Sequence, residues 1–271
     1  MKIFAIQDET DSTKKALAYL FYYENEKLFY IELPDDADEW ETPLLLSSFI
    51  KKGEKTINSY WSKMWVCQRI VPPDRQNIGQ ILRDNHLSEY DEFDLLILGM
   101  GRCAQDDYYL VPIDEASLPS SIKKRSLKRI ENVIPLEDFN LLVFFANGTI
   151  KKCSLKSYLE ENIRFRILLK KEELWNNVKP EVGGYGITWD DNLRISDSML
   201  YRTGKRIPLT TSDFNSYIKH GIVNVSEAAG ILECSRQNID DLTKRGKLHP
   251  VKSSGKNTVY LKNEILKRAW K

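Results

Sequence analysis

The sequence predicts an α+β protein of three small domains, two of mixed α/β character and a third made of short helices and a hairpin. Three observations lead there. At 271 residues the chain can enclose two or three separate cores. Strand-like alternation and helical spacing interleave along it, and neither runs throughout. Charge is also unevenly placed: 12 Lys and Arg stand against 20 Asp and Glu through Ile113, net −8, whereas from Gly221 onward there are 10 against 5, net +5. The expected boundaries are 1–116, a basic linker at 117–130, a second domain at 131–205, a linker at 206–220 and a third domain at 221–271.

A hydrophobic fraction of 42% with 29% charged residues describes an ordinary globular chain. No apolar run approaches the ~20 residues of a membrane helix, and the start MKIFAIQDETDS turns acidic too early for a signal peptide. Cys67, Cys103, Cys153 and Cys234 are scattered with no paired spacing, as in a reduced cytoplasmic protein. No cofactor and no membrane partner is expected.

In the first domain, KALAYLFYYENEKLFYIELP reads as a hairpin turning at Glu24-Asn25-Glu26. Tyr19, Phe21 and Tyr23 would face Leu28 and Tyr30 across it. After the acidic loop DDADEWE, PLLLSSFIKKG has helical spacing and a glycine stop. Pro73 suits the first turn of a helix with Ile78, Ile81 and Leu82 facing inward. Ser88 can cap the next helix, SEYDEFDLLILGM. The order of proline-arginine helix start, DNHLSEYDEFDLL helix and GRCAQDD turn resembles the small N-terminal subdomain of HipA-type toxin kinases and their separately encoded short relatives. Neither a glycine-rich phosphate loop nor a catalytic-loop Asp-Asn pair is present, so the resemblance implies no kinase activity.

SLPSSIKKRSLKRI, Ser117 to Ile130, reads as a solvated serine-rich and basic linker. The second domain begins with VIPLEDFNLLVFFANGTIKKCSL, two strands around Ala146-Asn147-Gly148, where Asn-Gly supplies the positive φ of a tight hairpin. Leu141, Val143 and Phe145 alternate with Leu142 and Phe144, so both faces of that strand should be covered. The helix SLKSYLEEN, a further helical turn and a last hairpin follow. VIPLEDFNLLVFFANG followed by LWNNVKPEVGGYGITWDDNLRISDSMLY resembles the bacterial domain of unknown function 2442 family. That likeness implies a small α/β domain and no chemistry.

In the third domain, VSEAAGILECSRQNIDDLTKRGKLHPVKSSGKNTVYL contains two short helical patterns around a turn at Glu233-Cys234. Ser226 can cap the first helix, and Ala228, Ala229 and Leu232 form a small apolar face. Ser235 opens the second helix, Ile239 and Leu242 are its buried side, and Gly246 suits its left-handed end. Small alanines let two helices cross closely. The SEAAGIL run, SRQNI start, RGKLHPVK strand entry and closing YLKNEIL resemble the winged helix-turn-helix of the MerR and excisionase class. There the second helix enters the major groove and the wing touches the backbone. The resemblance implies base contacts from Ser235, Arg236, Gln237 and Asn238. It implies phosphate contacts from Lys244, Arg245, Lys247, Lys252, Ser254 and Lys256, with Ser253, Ser254, Gly255 and Lys256 at the wing tip.

Catalytic groups are sparse. His86, His220 and His249 have no ligand partner at i+4 spacing. Cys67 and Cys103 lack a neighbouring base in the sequence and read as buried small hydrophobes. Asp106-Asp107 and Asp190-Asp191 could each hold magnesium, but Asp190-Asp191-Asn192 lies between strands and reads more simply as a turn. Gly183 to Gly186 has no following Lys-Ser/Thr and reads as a hairpin connection. Trp61, Trp65, Trp175 and Trp189 read as core or interface residues. The expected partner is double-stranded DNA, bound by a non-catalytic regulator acting as a homodimer, with a protein partner possible through the first domain. The alternative is an adaptor or antitoxin-like partner of a HipA-type kinase that uses DNA binding for autoregulation.

Overall fold

Alternation of large apolar residues builds the first sheet. Strands β1 (Lys2–Asp8), β2 (Ala16–Tyr23) and β3 (Leu28–Glu32) form an antiparallel meander. Tyr23 pairs with Leu28 and Phe21 with Tyr30, as the aromatic pattern predicts. Helix α1 (Leu44–Lys51), strand β4 (Thr56–Ile57) and helices α2 (Ser59–Cys67), α3 (Ile78–Asp84) and α4 (Glu92–Leu98) follow. Strand β5 (Tyr108–Ile113) closes the sheet in the order β4-β3-β2-β1-β5. Phe4, Ile6, Leu20 and Ile31 meet Leu46 and Phe49 of α1, Trp65 of α2 and Leu96 of α4 in one core.

The computed structural model describes residues 1–190, 193–206, 211–254 and 257–270. The chain divides into two units, Met1–Lys124 and Arg125–Lys271, and is α+β with several small sheets. Helix α5 (Ser120–Ser126) spans the join, where the serine-rich and basic composition reads as a linker. Its Ile122 is buried, and a buried apolar residue on a helical turn is what a solvated linker lacks.

Other local expectations in the first unit shift. Pro73 stands in a turn, with the Pro72 carbonyl accepting from the Arg75 amide at 3.2 Å, and α3 begins only at Ile78. Two successive prolines remove two amide donors and disfavour helical backbone before them. Ile78, Ile81 and Leu82 are only partly buried. Asp91, not Ser88, caps α4: its carboxylate accepts the Phe93 and Asp94 amides at 2.9 and 3.2 Å. Cys67 is exposed and Cys103 half-buried, so neither is a buried apolar filler. Trp65 is core, as are Trp175 and Trp189 of the second unit, whereas Trp61 is 41% exposed and edge-on to the Phe49 ring.

The second unit opens with a three-stranded antiparallel meander. Strand β6 (Ile130–Leu136) pairs with β7 (Asn140–Phe145), which pairs with β8 (Ile150–Ser154). Gly148 takes φ +75° in the β7–β8 turn, the left-handed backbone that Asn-Gly predicts. On one face Val133, Leu141, Val143 and Phe145 pack with α6 (Lys156–Glu161), α7 (Glu172–Asn176) and a small sheet of β9 (Lys179–Pro180), β10 (Gly186–Thr188) and β11 (Arg194–Ser196). Helix α8 (Asp197–Thr203) adds Leu200 to that core. Gly183 and Gly184 do lie in the connection between β9 and β10.

The opposite face carries Ile134, Leu136, Leu142 and Phe144, and helix α9 (Thr211–Gly221) covers it. Tyr217 sets its ring 5.6 Å from Phe144. Lys152 pairs with Asp213 at 3.2 Å. Residues 206–220, expected as a linker, therefore include a packed helix. Strand β12 (Ile222–Asn224) starts at the next residue after α9, and the remaining elements are α10 (Val225–Ile231), α11 (Arg236–Lys244), β13 (Lys252–Ser254), β14 (Asn257–Leu261) and α12 (Lys262–Ala269).

Candidate nucleic-acid interface

The C-terminal elements enclose a small core of Val223, Ala228, Ala229, Ile239, Leu248, Tyr260 and Ile265. A reciprocal cap starts α10. The Asn224 side chain accepts the Ser226 and Glu227 amides at 2.8 and 3.0 Å, and Glu227 accepts the Asn224 amide at 2.7 Å. Asn224 thus takes the role expected of Ser226, which sits inside the first turn. An amide oxygen reaches two helix donors from the end of a strand, and Ser226 lies two residues too far along. The Asn-x-x-Glu spacing is the signal that identifies this cap.

Helix α10 ends where Glu233 adopts φ +49° and the Cys234 amide donates to the Ala229 carbonyl at 3.0 Å. Ser235 then accepts the Asn238 amide at 3.2 Å, which starts α11 immediately. Helix α11 ends symmetrically at Gly246, φ +64°, with the Lys247 amide bonded to the Leu242 carbonyl at 2.8 Å. Ala228 and Ala229 are buried where the two helices meet.

The C-terminal sheet has three strands in the order β12-β14-β13, so β13 is an edge. Its base is fixed by two contacts that the sequence does not announce. The buried Tyr260 hydroxyl lies 2.8 Å from the Thr243 hydroxyl on α11. Glu264 of α12 accepts from the His249 backbone amide at 2.8 Å and lies 2.9 Å from its Nδ1.

Arg236, Gln237 and Asn238 are exposed at the first turn of α11, and Ser235 is exposed while also capping the helix. Lys244 and Arg245 are exposed at the last turn, eight and nine residues later, or about 12–14 Å along the axis. Lys247, Lys252, Ser253 and Ser254 are exposed beyond it. Gly255 and Lys256, expected at the wing tip, lie outside the described residues, as do Asp191 and Asn192. Asp241 lies on the same outward side, one turn from Gln237 and from Arg245, which pairs with it at 2.6 Å. Arg245 is thus partly neutralised in the free protein.

Elsewhere, Asp106 forms an ion pair with buried Arg69, whose guanidinium stacks 3.9 Å from the Trp65 ring centroid. That partner occupies the carboxylate considered for magnesium. Among the described residues no group of three metal-binding side chains converges, and no helix is long and apolar enough to cross a membrane. A cleft of about 740 Å³ in the second unit is lined in part by Glu137, Asp138, Glu172, Lys170, Lys219 and His220. None of these six side chains hydrogen-bonds another. Burial, then the Lys219 and Lys262 charges, hold the His220 imidazole below its usual pKa.

No curated protein matches the chain. Among solved structures, the "Putative DNA Binding Protein" of Nitrosomonas europaea is 16% identical, with a TM-score of 0.26, over 45% of this chain and 79% of its own. Residues 130–206, from β6 to the residues following α8, match the family described as "Protein of unknown function (DUF2442)".

Proposed function

We propose that the chain is a non-catalytic, sequence-specific DNA-binding regulator of transcription that acts as a dimer. The observation that supports this most is the α10–turn–α11 pair with its edge-strand hairpin, which presents Arg236, Gln237 and Asn238 outward at the start of a rigidly capped helix. An arginine side chain matches the O6 and N7 edge of guanine, and Asn or Gln matches the N6 and N7 edge of adenine. Lys244, Lys247 and Lys252 neutralise phosphates and fix register. Five acids against ten cations in residues 221–271 leave a modest charge, so two heads are needed for tight binding.

Footprinting on the DNA upstream of the protein's own gene, followed by affinity measurements, tests this. Arg236→Ala should weaken the footprinted site about 5- to 150-fold while sparing scrambled duplex. Lys252→Ala should weaken both alike. Equal losses for Arg236→Ala on the two duplexes would remove base reading from α11.

The first unit supports a second reading, as an adaptor or antitoxin-like partner of a HipA-type kinase. Trp40, Leu44, Tyr60, Trp61 and Met64 are exposed there, with Trp40 at 84% and Leu44 at 90%. Aromatic and methionine side chains in that state suit a protein contact. Co-purification of such a kinase, lost on Trp61→Asp, is the expected result. A clean homodimer unaffected by that change removes the reading.

A further inference from the structure

Away from the C-terminal head, the DUF2442-like domain concentrates uncompensated positive charge around one tyrosine. Tyr201 of α8 is partly exposed beside the β7–β8 turn, and its ring packs edge-on against Phe145 at 4.9 Å. Lys151 of β8 places its ammonium 4.2 Å from the ring centroid and also donates to the Tyr201 carbonyl. Lys128, between α5 and β6, places its own at 5.2 Å. Asn147 donates to the Tyr201 hydroxyl at 3.1 Å. Arg206 reaches the Thr149 hydroxyl at 3.4 Å, on the same turn. Arg202 and Lys205 are exposed nearby in sequence.

Among the described residues, no carboxylate forms an ion pair with Lys128, Lys151 or Arg206. Neighbouring cations do have such partners: Arg129 binds Asp197 at 2.7 Å, and Lys152 binds Asp213. The carboxylates of this region are thus engaged by other cations, Glu131 by Lys267 included, and Lys151 and Arg206 donate to neutral oxygens. The phenol itself responds to that field. The Asn147 hydrogen bond first, then the Thr149 hydroxyl and the Lys151 and Lys128 charges, hold its pKa below the ordinary value.

We propose that Lys128, Lys151 and Arg206, gathered around Tyr201 and Asn147, form a second contact surface for the DNA sugar-phosphate backbone, separate from the α11 reading head. Three cations from three chain segments, interleaved with neutral hydrogen-bonding groups and one aromatic ring, suit a run of phosphates without base reading. The surface connects to the head through α12. There Glu264 holds the wing entry at His249, and Lys267, three residues on, binds Glu131 at 2.7 Å, which lies three residues from Lys128. The two sites therefore belong to one folded unit. The inference rests on the DNA-binding reading of the head and extends it to the middle domain.

The test uses the full chain, titrated by fluorescence anisotropy with a long labelled duplex carrying the footprinted site and with a scrambled duplex, across a range of salt. A Lys128→Gln, Arg206→Gln double variant, checked for an unchanged melting temperature, should flatten the slope of log affinity against log salt by about 2 for each protomer bound, one contact per cation, and so by about 4 for a bound dimer. Affinity for both duplexes at low salt should fall at least about tenfold. Lys128→Arg with Arg206→Lys should restore both.

If the wild type binds DNA and the double variant keeps its slope and affinity, the second surface is overturned and the head reading stands. If the wild type binds neither duplex at any salt, both fail together. If DNA binding is unchanged but sedimentation with phosphatidylserine vesicles is lost in the variant, the surface serves a membrane and the proposal is overturned.

Discussion

Asp241→Asn probes whether the exposed helix of the head is restrained by its own acid. Asp241 and Arg245 pair at 2.6 Å with side chains 47% and 64% exposed. A solvent-exposed i,i+4 pair contributes about 0.3–0.5 kcal/mol. In a unit of this size its loss lowers the melting temperature by only about 1–2 °C. Binding should move in the opposite direction. On the proposed reading, loss of the carboxylate would release the Arg245 guanidinium to a phosphate and remove a negative charge from the helix face turned to the duplex. One added phosphate contact per protomer steepens the salt slope by about 0.9 and raises low-salt affinity about five- to tenfold for each head bound. Anisotropy titrations between about 50 and 300 mM salt resolve a change of that size. Tighter binding on every duplex, with the steeper slope, is the expected outcome. Weaker binding confined to duplexes with a C·G pair at one position, at unchanged slope, would refute the reasoning. Asp241 would then accept from a cytosine amino group, and Arg245 would contact no phosphate.

Two further outcomes follow from the second unit. Gly184→Ala should abolish folding of the middle domain, because a Cβ there overlaps the Ile130 carbonyl and comes within 2.9 Å of the Ile130 nitrogen, both backbone atoms, at φ +73°. Gly246→Ala meets nothing within 4 Å and bears only the left-handed backbone cost, about 1–2 kcal/mol; calorimetry finding equal losses at the two sites would contradict this. Burial lifts the Cys153 thiol from its ordinary 9.0 to about 11. A raised acid pKa stabilises the fold fully below pH 9 and loses that contribution between about pH 9 and 11, worth about 2–3 kcal/mol. Denaturant midpoints should fall across that window in the wild type and fall less in Cys153→Ala; parallel curves would refute the assignment.

Much of the fold was legible because periodicity and turn chemistry act locally. The aromatic hairpin of Tyr19 to Leu33, the Asn147-Gly148 turn, and the alanine pair, Ser235 cap and Gly246 stop of the head all stand where spacing places them. The DUF2442 resemblance over the middle domain also holds. Misplaced features depend on tertiary partners. Asp91 displaces Ser88 as a cap while its carboxylate also holds Lys27 at 2.7 Å, a residue 64 positions away. The stretches expected as linkers became helical because Ile122 and Tyr217 found apolar neighbours or burial that composition does not reveal. At the candidate interface, exposure of Arg236, Gln237 and Asn238 was readable from helical spacing. The Asp241–Arg245 pair was open to the same i,i+4 arithmetic. By contrast, the Tyr260–Thr243 and Glu264–His249 contacts join residues 15 or more positions apart, and only the folded chain brings them together.

Helix α9 carries a last consequence. Gly221 ends it so close to β6 that a Cβ would sit 2.9 Å from Ile134 Cδ1, and β12 begins at the next residue. There is no connecting residue between α9, packed on β6, and the C-terminal elements that begin with β12. A DNA-binding head mounted this way would lose none of its binding energy to a swinging tether at this point. In the dimer proposed above, the separation of the two C-terminal units would then be set by the contact between copies and not by play at this junction. Inserting a single base pair between paired half-sites turns one by about 34–36° about the duplex axis. If the proposed dimer reads paired half-sites, a junction without slack predicts that affinity depends on their spacing.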